Sequence, residues 1–518
     1  MRFFLFLIII TLTLLTSCRK DFDTVPSNGK LAFSKDTVYL DTVFTGIASS
    51  TYTLKVYNNS DEDISIPTIA LEKGANSNYR MMIDGMTGES GNGKIFSNVE
   101  LLANDSLYVF IEQTSNIIDA NPSDLLYTDK ILFDSGSNQQ DVDLVTLIQD
   151  AYFIFPKRTE NPDNTYTYEG QSLSANDPKI TAFALDENDP INGNELHFTN
   201  TKPYVIYGFP TVPNNKTLII DKGARVHFHD QSGLIVADQA SIQVNGDVST
   251  TEALENEVIF EGDRLEPDFS EVPGQWFSVI LTNGSTNNSF NHLTIKNATA
   301  GLFIQGQDAT TVQIKNTQIY NSSVAGILAR TGKINGENIV INKAGQYALA
   351  CTLGGSYDFT HCTFANYWSG SRQSPAVLLD NTFYDGETTF VADLVKANFT
   401  NSIIYGPNSI EIGLKKNDAA AFNFDISYCL LKFADSGNQF TGPMYDFVKN
   451  PSSKNNIVSN FQTQNDPKFK EVYKNNLRIG LTSSAKEKGN TSFRIDKDID
   501  GTTRSTPPDL GAYEHLSE

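Results

Sequence analysis

Tryptophan occurs twice, cysteine four times and methionine five times among 518 residues, and charged side chains make up only 19% of the chain. So few cysteines exclude a disulfide framework. With Cys18 set aside for the reason given below, Cys351, Cys362 and Cys429 remain, an odd number without metal-like spacing. Positive charge is also short: 39 Lys and Arg against 61 Asp and Glu leave 39 − 61 = −22. No Lys/Arg patch offsets this deficit, which excludes a nucleic-acid partner, because a phosphate backbone needs a basic face. What the chain does have is 35 Gly, 33 Phe and 21 Tyr within 39% hydrophobic residues, a globular composition that favours strands and turns over helices. At about 100–200 residues per domain, the length allows two to four domains, or one small domain and a long repetitive one.

Residues Met1 to Leu15 carry one positive charge, Arg2, and then the apolar run Phe3 to Ile10 with Leu12, Leu14 and Leu15. This is the core of a signal peptide and is too short for a comfortable membrane span. It ends Leu15-Thr16-Ser17-Cys18, which resembles the bacterial lipobox; the alternative is a free cysteine in an ordinary secretory signal. The resemblance implies a lipidated Cys18, and three acyl chains at about 0.8 kcal/mol per buried CH₂ would anchor the protein permanently. Arg19-Lys20-Asp21-Phe22-Asp23 is similar to the Lys-plus-acid signals that send Bacteroidetes-type lipoproteins to the outer face of the outer membrane. Phe22 interrupts the acids, and a solvated tether explains the same residues. The expectation is a signal peptide over 1–17, a lipidated tether over 18–29, and an outer-membrane, lipid-anchored protein facing the cell exterior.

From Lys30 to Asp150 short alternating runs such as Thr37–Val43 and Thr51–Asn59 are each closed by Asn, Asp, Ser or Gly. Further runs at Ile64–Ile69, Leu107–Gln113, Lys130–Phe133 and Val142–Ile148 bring the count to about seven antiparallel strands, the size of a β-sandwich. The segment resembles the immunoglobulin-like modules of surface lipoproteins. It has no convergent His, Cys or carboxylate set, so a spacer or adhesive role is expected. Asp23-Thr24-Val25, Asp36-Thr37-Val38, Asp41-Thr42-Val43 and Asp105-Ser106-Leu107 resemble Asp-Ser/Thr-apolar O-glycosylation sites, although strands that start after an Asp give the same tripeptides.

Further on, an apolar anchor followed two places later by a polar or turn residue recurs at Ile295, Ile319, Ile341, Phe364, Ile404 and Leu431, at intervals of 24, 22, 23, 40 and 27. A period in the twenties built of short strands means a solenoid, with the long interval explained by a loop inserted around Trp368–Lys396. Two places before the anchors stand Leu293, Thr317, Ile339, Cys362, Ser402 and Cys429, small or apolar and suited to an inward stack, so these cysteines read as core filler. Asn297, Asn321 and Asn366 fall in turn positions where stacked amides can bond from coil to coil.

Val212 to Phe228 and Gly274-Gln275-Trp276 through Ile280 resemble the opening coils of right-handed parallel β-helix proteins of the pectin-lyase-like class. At about 4.8 Å per coil, ten to thirteen coils make a rod of about 50–60 Å. Asp466-Pro467-Lys468-Phe469, Leu477-Arg478-Ile479, Ser484-Ala485, Asp498 to Arg504 and Pro508 to Glu514 resemble the closing segment of surface β-helix proteins called choice-of-anchor Q, a resemblance that implies an architecture and no activity. The fold class expected is all-β: an immunoglobulin-like β-sandwich over 30–150, a linker over 151–195, and a right-handed parallel β-helix with a C-terminal cap over 196–515.

A lyase needs a base and a cation at the substrate carboxylate, and a hydrolase needs two carboxylates flanking the bond. The positions on either side of the anchors, Thr294/Lys296 through Leu430/Lys432, hold no stacked acids and no clustered bases. The better ligand candidates are Tyr367, Trp368 and Arg372 in the inserted loop, whose rings and guanidinium suit a sugar; the alternative is a loop folded back on the rod. Asp496, Asp498 and Asp500 have the spacing of the first half of an EF-hand loop, but the twelfth position is Pro507. Weak Ca²⁺ binding or a capping turn follows, and no other cofactor is expected. His227, His229, His292 and His361 show no paired metal spacing. The function expected is a non-enzymatic glycan-binding or adhesive surface lipoprotein with a polysaccharide ligand. The alternatives are a polysaccharide lyase or glycoside hydrolase, and a structural surface protein with a protein partner.

Overall fold

The structure is a computed structural model and describes residues 23–120, 125–173, 181–306 and 310–515. The signal peptide, Cys18 and Arg19 to Phe22 lie outside the described residues. The chain divides into two compact units, 1–150 and 151–518. No helix among the described residues is long and apolar enough to cross a membrane.

The first unit is two β-sheets sharing one core. A six-stranded sheet holds Thr37–Phe44, Ile64–Leu71, Ile95–Leu101, Leu126–Phe133, Gln140–Gln149 and the short Val25–Pro26; a four-stranded sheet holds Ala32–Phe33, Tyr52–Tyr57, Tyr79–Ile83 and Ser106–Gln113. Alternation sets the faces: in Tyr52–Tyr57 Leu54 and Val56 are buried while Thr53 is exposed, and Leu54 and Val56 join Val38, Leu40, Leu144 and Ile148 of the facing sheet in one cluster. The Tyr79 hydroxyl ties the sheets together, donating to the Tyr127 carbonyl at 2.9 Å and meeting Thr146 Oγ1 at 2.9 Å. Pairing is not wholly antiparallel, since Gln140–Gln149 runs parallel to Thr37–Phe44.

The second unit is a three-sided parallel solenoid whose successive coils add one strand each to sheets of eleven, ten and nine strands. The six anchors pair in the eleven-stranded sheet in the register read from the sequence: Ile295 with Ile319, Ile341, Phe364, Ile404 and Leu431 in turn. All six are fully buried, as are Thr317, Ile339, Cys362, Ser402 and Cys429. Burial pushes the Cys362 and Cys429 thiols up to about 12, which makes them inert packing groups.

The corners between the nine- and eleven-stranded sheets are turned by residues in left-handed backbone three places before each anchor: His292, Asn316, Asn338, His361, Asn401 and Tyr428. Asparagine suits this position because its short amide tolerates the conformation and bonds along the stack. Asn338 Nδ2 donates to Asn316 Oδ1 at 2.9 Å, Asn316 Nδ2 to Asn291 Oδ1 at 2.9 Å, and Asn401 Nδ2 meets His361 Nε2 at 3.0 Å. A second, shorter stack joins Asn321 Nδ2 to Asn297 Oδ1 at 3.2 Å. Asn366 does not extend it: its amide accepts from the Ala344 N–H at 2.9 Å and donates to the Gln346 carbonyl.

Three boundaries differ from the sequence reading. The stretch expected as a linker already forms coil strands, with Tyr152–Ile154 beside Tyr204–Ile206 and Thr181–Ala184 beside Phe209–Val212; they are short and separated by a hairpin, Arg158–Glu160 with Tyr166–Tyr168, which hides the period. The interval of 40 is made of two insertions, the loop 366–376 and the hairpin Thr382–Tyr384 with Thr389–Val391, on either side of the coil strand Val377–Asp380. Finally, the C-terminal segment is a strap along the side of the rod. Leu477, Ile499, Ala512 and Tyr513 cover Tyr320, Val340 and Ala365, and Ile479, Ala485 and Leu510 cover Ile403, Tyr405 and Leu430. These are outward positions of the eleven-stranded sheet, apolar and in need of cover. The end of the rod is closed instead by Phe433, Phe440, Tyr445 and Phe447 around two short helical turns.

His361 sits where rod and strap meet and is fully buried. Burial first, and the nearby Arg504 guanidinium second, hold its imidazole well below the ordinary 6.5. The unfolded chain takes up a proton near 6.5 and the folded chain does not, so this contribution to stability is complete above that pH. It is lost as pH falls below it, by up to about 1.4 kcal/mol per pH unit. Urea denaturation of His361→Asn, which keeps the residue type of the neighbouring corners, is expected to show a shallower loss of stability between about pH 6.5 and 5 than the parent chain.

Candidate functional site

The three sides of the rod differ in what borders them. From Ser289–Asn291 onward one- or two-residue corners join the nine- to the eleven-stranded sheet, the earlier corner 246–257 being long; the connections 263–278, 366–376, 381–393 and 416–424 flank the ten-stranded sheet on both of its edges. Loops framing a rigid sheet face make the usual setting for a site, and the eleven-stranded face is under the strap. The outer face of the ten-stranded sheet is therefore the candidate.

Along that face Thr211, Ile235, Ile280, Phe303, Leu328, Ala350, Leu378 and Gly413 stand in one row, strand after strand. Ile235, Ile280, Phe303, Leu328 and Leu378 are each half-buried, an apolar ladder that reaches the surface, with Ala350 between Leu328 and Leu378 fully buried. At one end Phe277, 41% exposed, and Ile280 line a cavity of about 430 Å³ with Phe209, Trp276 and Thr299. Trp276 itself is core, stacked on Phe228 at 4.1 Å. Two residues further along the strands run Gln305, Arg330 and Thr352, and beyond them Asp380 and Lys415. Asp380 is the one carboxylate in these two rows, and it is occupied: Oδ1 accepts from Thr382 N–H and Oγ1 at 2.7 Å, and Oδ2 pairs with Lys415 at 3.0 Å. The rows thus offer apolar contact, hydroxyl, amide and cation, without the two facing carboxylates of glycoside hydrolysis.

The residues singled out from the sequence are not gathered into one site. Arg372 is turned inward. Its guanidinium meets Glu411 at 2.7 and 2.9 Å and donates to the carbonyls of Asn366 and Ser374, with the two side chains 3% and 0% exposed. It clamps the loop 366–376 to the next coil, with its Nε buried and unpartnered, so the residue expected to contact a ligand is engaged with Glu411 in the fold. Burial pushes the Glu411 carboxyl up, with Arg372 pulling the other way. Tyr367 is half-buried, edge-on to Phe469 and Tyr473 of the strap, and Trp368 is half-buried over Gly345. The loop is folded back on the rod, with its aromatics as the anchor.

Asp496, Asp498 and Asp500 do not converge either. Asp498 is buried and caps its own turn, accepting from Thr502 N–H at 2.7 Å and Glu514 N–H at 2.8 Å; Asp500 makes a two-pronged pair with Arg478 at 2.7 Å; Asp496 is exposed beside Arg494. The three carboxylates have separate partners, as the capping-turn alternative expects. Among the described residues the one metal-like grouping is Asp509, Glu514 and His515. Their carboxylates are taken up by the Glu487, His515, Ser505 and Asp509 N–H groups and by Arg504, so they lock the strap.

One charged row escaped the sequence reading. His227, Glu261 and Lys296 are neighbours on the uncovered end of the eleven-stranded face, with Glu261 3.8 Å from His227 and 2.6 Å from Lys296. Burial raises the Glu261 carboxyl, but His227 and Lys296 outweigh it and hold it below its ordinary value; burial lowers His227. The signal was the anchor register continued backward through Phe260 and Val226, at intervals of 35 and 34.

No protein-family model matches the chain, and no curated protein does. Among solved structures, a family 123 glycoside hydrolase from Clostridium perfringens is 12% identical over 23% of this chain and 25% of its own, with a TM-score of 0.16. The E. coli chaperone DraB is 14% identical over 24% and 57%, at 0.16. The catalytic domain of a GH87 α-1,3-glucanase in complex with tetrasaccharides is 10% identical over 80% of this chain and 92% of its own, at 0.23. The chain thus spans about a quarter of the first and just over half of the second. At such TM-scores none of these likenesses bears on fold or activity.

Glu411→Gln removes one partner of a buried ion pair and is expected to cost about 3–5 kcal/mol. Urea denaturation checks the stability, and limited proteolysis is expected to cut first within 366–376.

Proposed function

We propose that the chain is a cell-surface lipoprotein that binds a glycan, without cleaving it, along the outer face of the ten-stranded sheet. The observation that supports this most is the apolar ladder Ile235, Ile280, Phe303, Leu328 and Leu378, half-exposed on a side of the rod with long connections along both of its edges. Sugar rings carry apolar C–H faces and polar rims, and a ladder flanked by Gln305, Arg330 and Thr352 complements both. The only carboxylate in the two rows is neutralised by Lys415, which disfavours hydrolysis relative to binding.

In the same proposal Cys18 is lipidated and the outer membrane holds the protein. The first unit is an immunoglobulin-like spacer, and the strap is the choice-of-anchor Q-like segment of a pectin-lyase-like right-handed helix. The test is to incubate the chain from residue 19 onward with acidic and neutral polysaccharides, with and without Ca²⁺, and to size the polymer. Intact polymer co-eluting with the protein, and weakened about tenfold or more by Phe303→Ala (a change of at least about 1.4 kcal/mol), is expected. Shortened polymer would replace the binding reading with the lyase or hydrolase one.

A further inference from the structure

Among the described residues two arginines of the second unit have an aromatic ring and no hydrogen bond or ion pair: Arg158, exposed beside Tyr166, and Arg330, half-buried. Arg225 donates to the carbonyls of Gly223, Leu254 and Glu257, Arg372 is paired with Glu411, Arg478 with Asp500 and Arg504 with Glu514. Among the described residues the Arg330 side chain has no hydrogen-bond or ion-pair partner, and its Nε is buried without one, as are those of Arg372 and Arg504. What it touches is aromatic. The guanidinium carbon lies 3.6 Å from the ring centre of Phe383, on the inserted hairpin, and 5.6 Å from that of Phe303, on the apolar ladder. In a chain with 61 acids and 39 bases, a half-buried cation left without an acid is an unspent recognition group.

We propose that Arg330 is an anion-recognition point, which receives the carboxylate or sulfate of an acidic sugar unit in a glycan laid along the ten-stranded face. This rests on the reading that the face binds a glycan and deepens it by naming the class of sugar. Stacking on Phe383 fixes the guanidinium plane, so its donors are held ready and little freedom is lost when a planar or trigonal anion takes them. An anion supplies the acceptors that this half-buried group lacks, in the two-pronged geometry a guanidinium matches best. Burial lowers its pKa, and no ion pair joins it to a carboxylate among the described residues. The hairpin also carries exposed rings, Tyr384 at 61% and Phe390 at 46%, with Phe390 opposite Phe383 in the strand pair; rings on the same hairpin as the one that meets the cation suit a sugar, with its apolar face and single acid group, better than an acidic peptide.

The test uses the full chain and calorimetric titration. The probes are a glucuronic-acid-bearing xylo-oligosaccharide with its carboxyl-reduced counterpart, and a sulfated galacto-oligosaccharide with its desulfated counterpart. At least one acidic form is expected to bind about ten- to hundredfold more tightly than its neutral partner, and the arm that does so tells carboxylate from sulfate. Arg330→Gln is expected to abolish the preference, and Arg330→Lys, which keeps the charge without the fork, to retain part of it. Lys396→Gln, the same change of charge on the nine-stranded face, is expected to leave the preference in place. Equal binding of acidic and neutral forms, a preference that survives Arg330→Gln, or equal competition by poly-L-glutamate would overturn the proposal while the glycan face stands. Failure of every oligosaccharide to bind would overturn both.

Discussion

The second unit depends on the corner between its nine- and eleven-stranded sheets. A coil that closes in some twenty residues can spare only one or two for this turn, and the residue there must take left-handed backbone, as His292, Asn316, Asn338, His361 and Asn401 do. Once the corner is fixed, the alternation that follows places the next buried pair: Ile339 and Ile341 after Asn338, Cys362 and Phe364 after His361. The stack of anchors is thus a consequence of the turn as much as of the hydrophobic pattern. The same residues then hold the strap. Asn338 accepts from Arg504 at 2.8 Å and donates to the Lys497 carbonyl at 3.0 Å, while the Asn401 amide exchanges hydrogen bonds with the Asn490 backbone at 2.8 and 3.1 Å. Coil closure and strap docking share one set of amides, and loss of either affects both.

The strap decides which side of the rod is available. Outward apolar positions such as Val340, Ala365, Ile403 and Leu430 would leave a large exposed patch without it. With it, the eleven-stranded sheet has protein on both faces over most of its length. The nine-stranded sheet presents a polar outer row of Gln243, Ser289, Gln313, Asn335, Asp358 and Asn398, which water satisfies. The apolar ladder of the ten-stranded sheet has neither the polar surface of the nine-stranded sheet nor, among the described residues of this unit, a strap like that of the eleven-stranded one.

Much of this architecture was legible in the sequence, because a strict structural period leaves a strict trace. The anchors from Ile295 to Leu431 and their inward neighbours were readable to the residue, and so were the main runs of the first unit, where alternation is regular. Asparagine stands three places before Ile319, Ile341 and Ile404, but His292, His361 and Tyr428 take the same place before the other anchors, so no single residue type marks the corner. What could not be read was set by contacts distant in sequence. Nothing near Arg372 announces Glu411, 39 positions away, and nothing near Asp498 shows that Glu514 N–H will take its carboxylate. The strap's path is of the same kind: a tail of short polar turns reads alike whether it plugs an end or lies along a side. Where long insertions stretch the interval to 34 or 35, as between Val226, Phe260 and Ile295, the period fades and the row His227, Glu261, Lys296 goes unseen with it.

A solenoid face poses a problem of register for any ligand laid along it. Each coil offers nearly the same contact as the next at a spacing of about 4.8 Å, so an apolar ladder alone lets a chain slide from one position to another at little cost. Position is fixed only where the repeat is broken. On the ten-stranded face the break is at the hairpin Thr382–Val391, which brings Phe383 over Arg330 and places a cation where neighbouring coils have Gln305 and Thr352. A uniform ladder supplies affinity in proportion to length, and one unlike residue supplies the point from which that length is measured. Under the proposed function the two insertions are therefore not equivalent: the loop 366–376 is spent on its own anchorage through Arg372 and Tyr367, while the hairpin gives the face its direction.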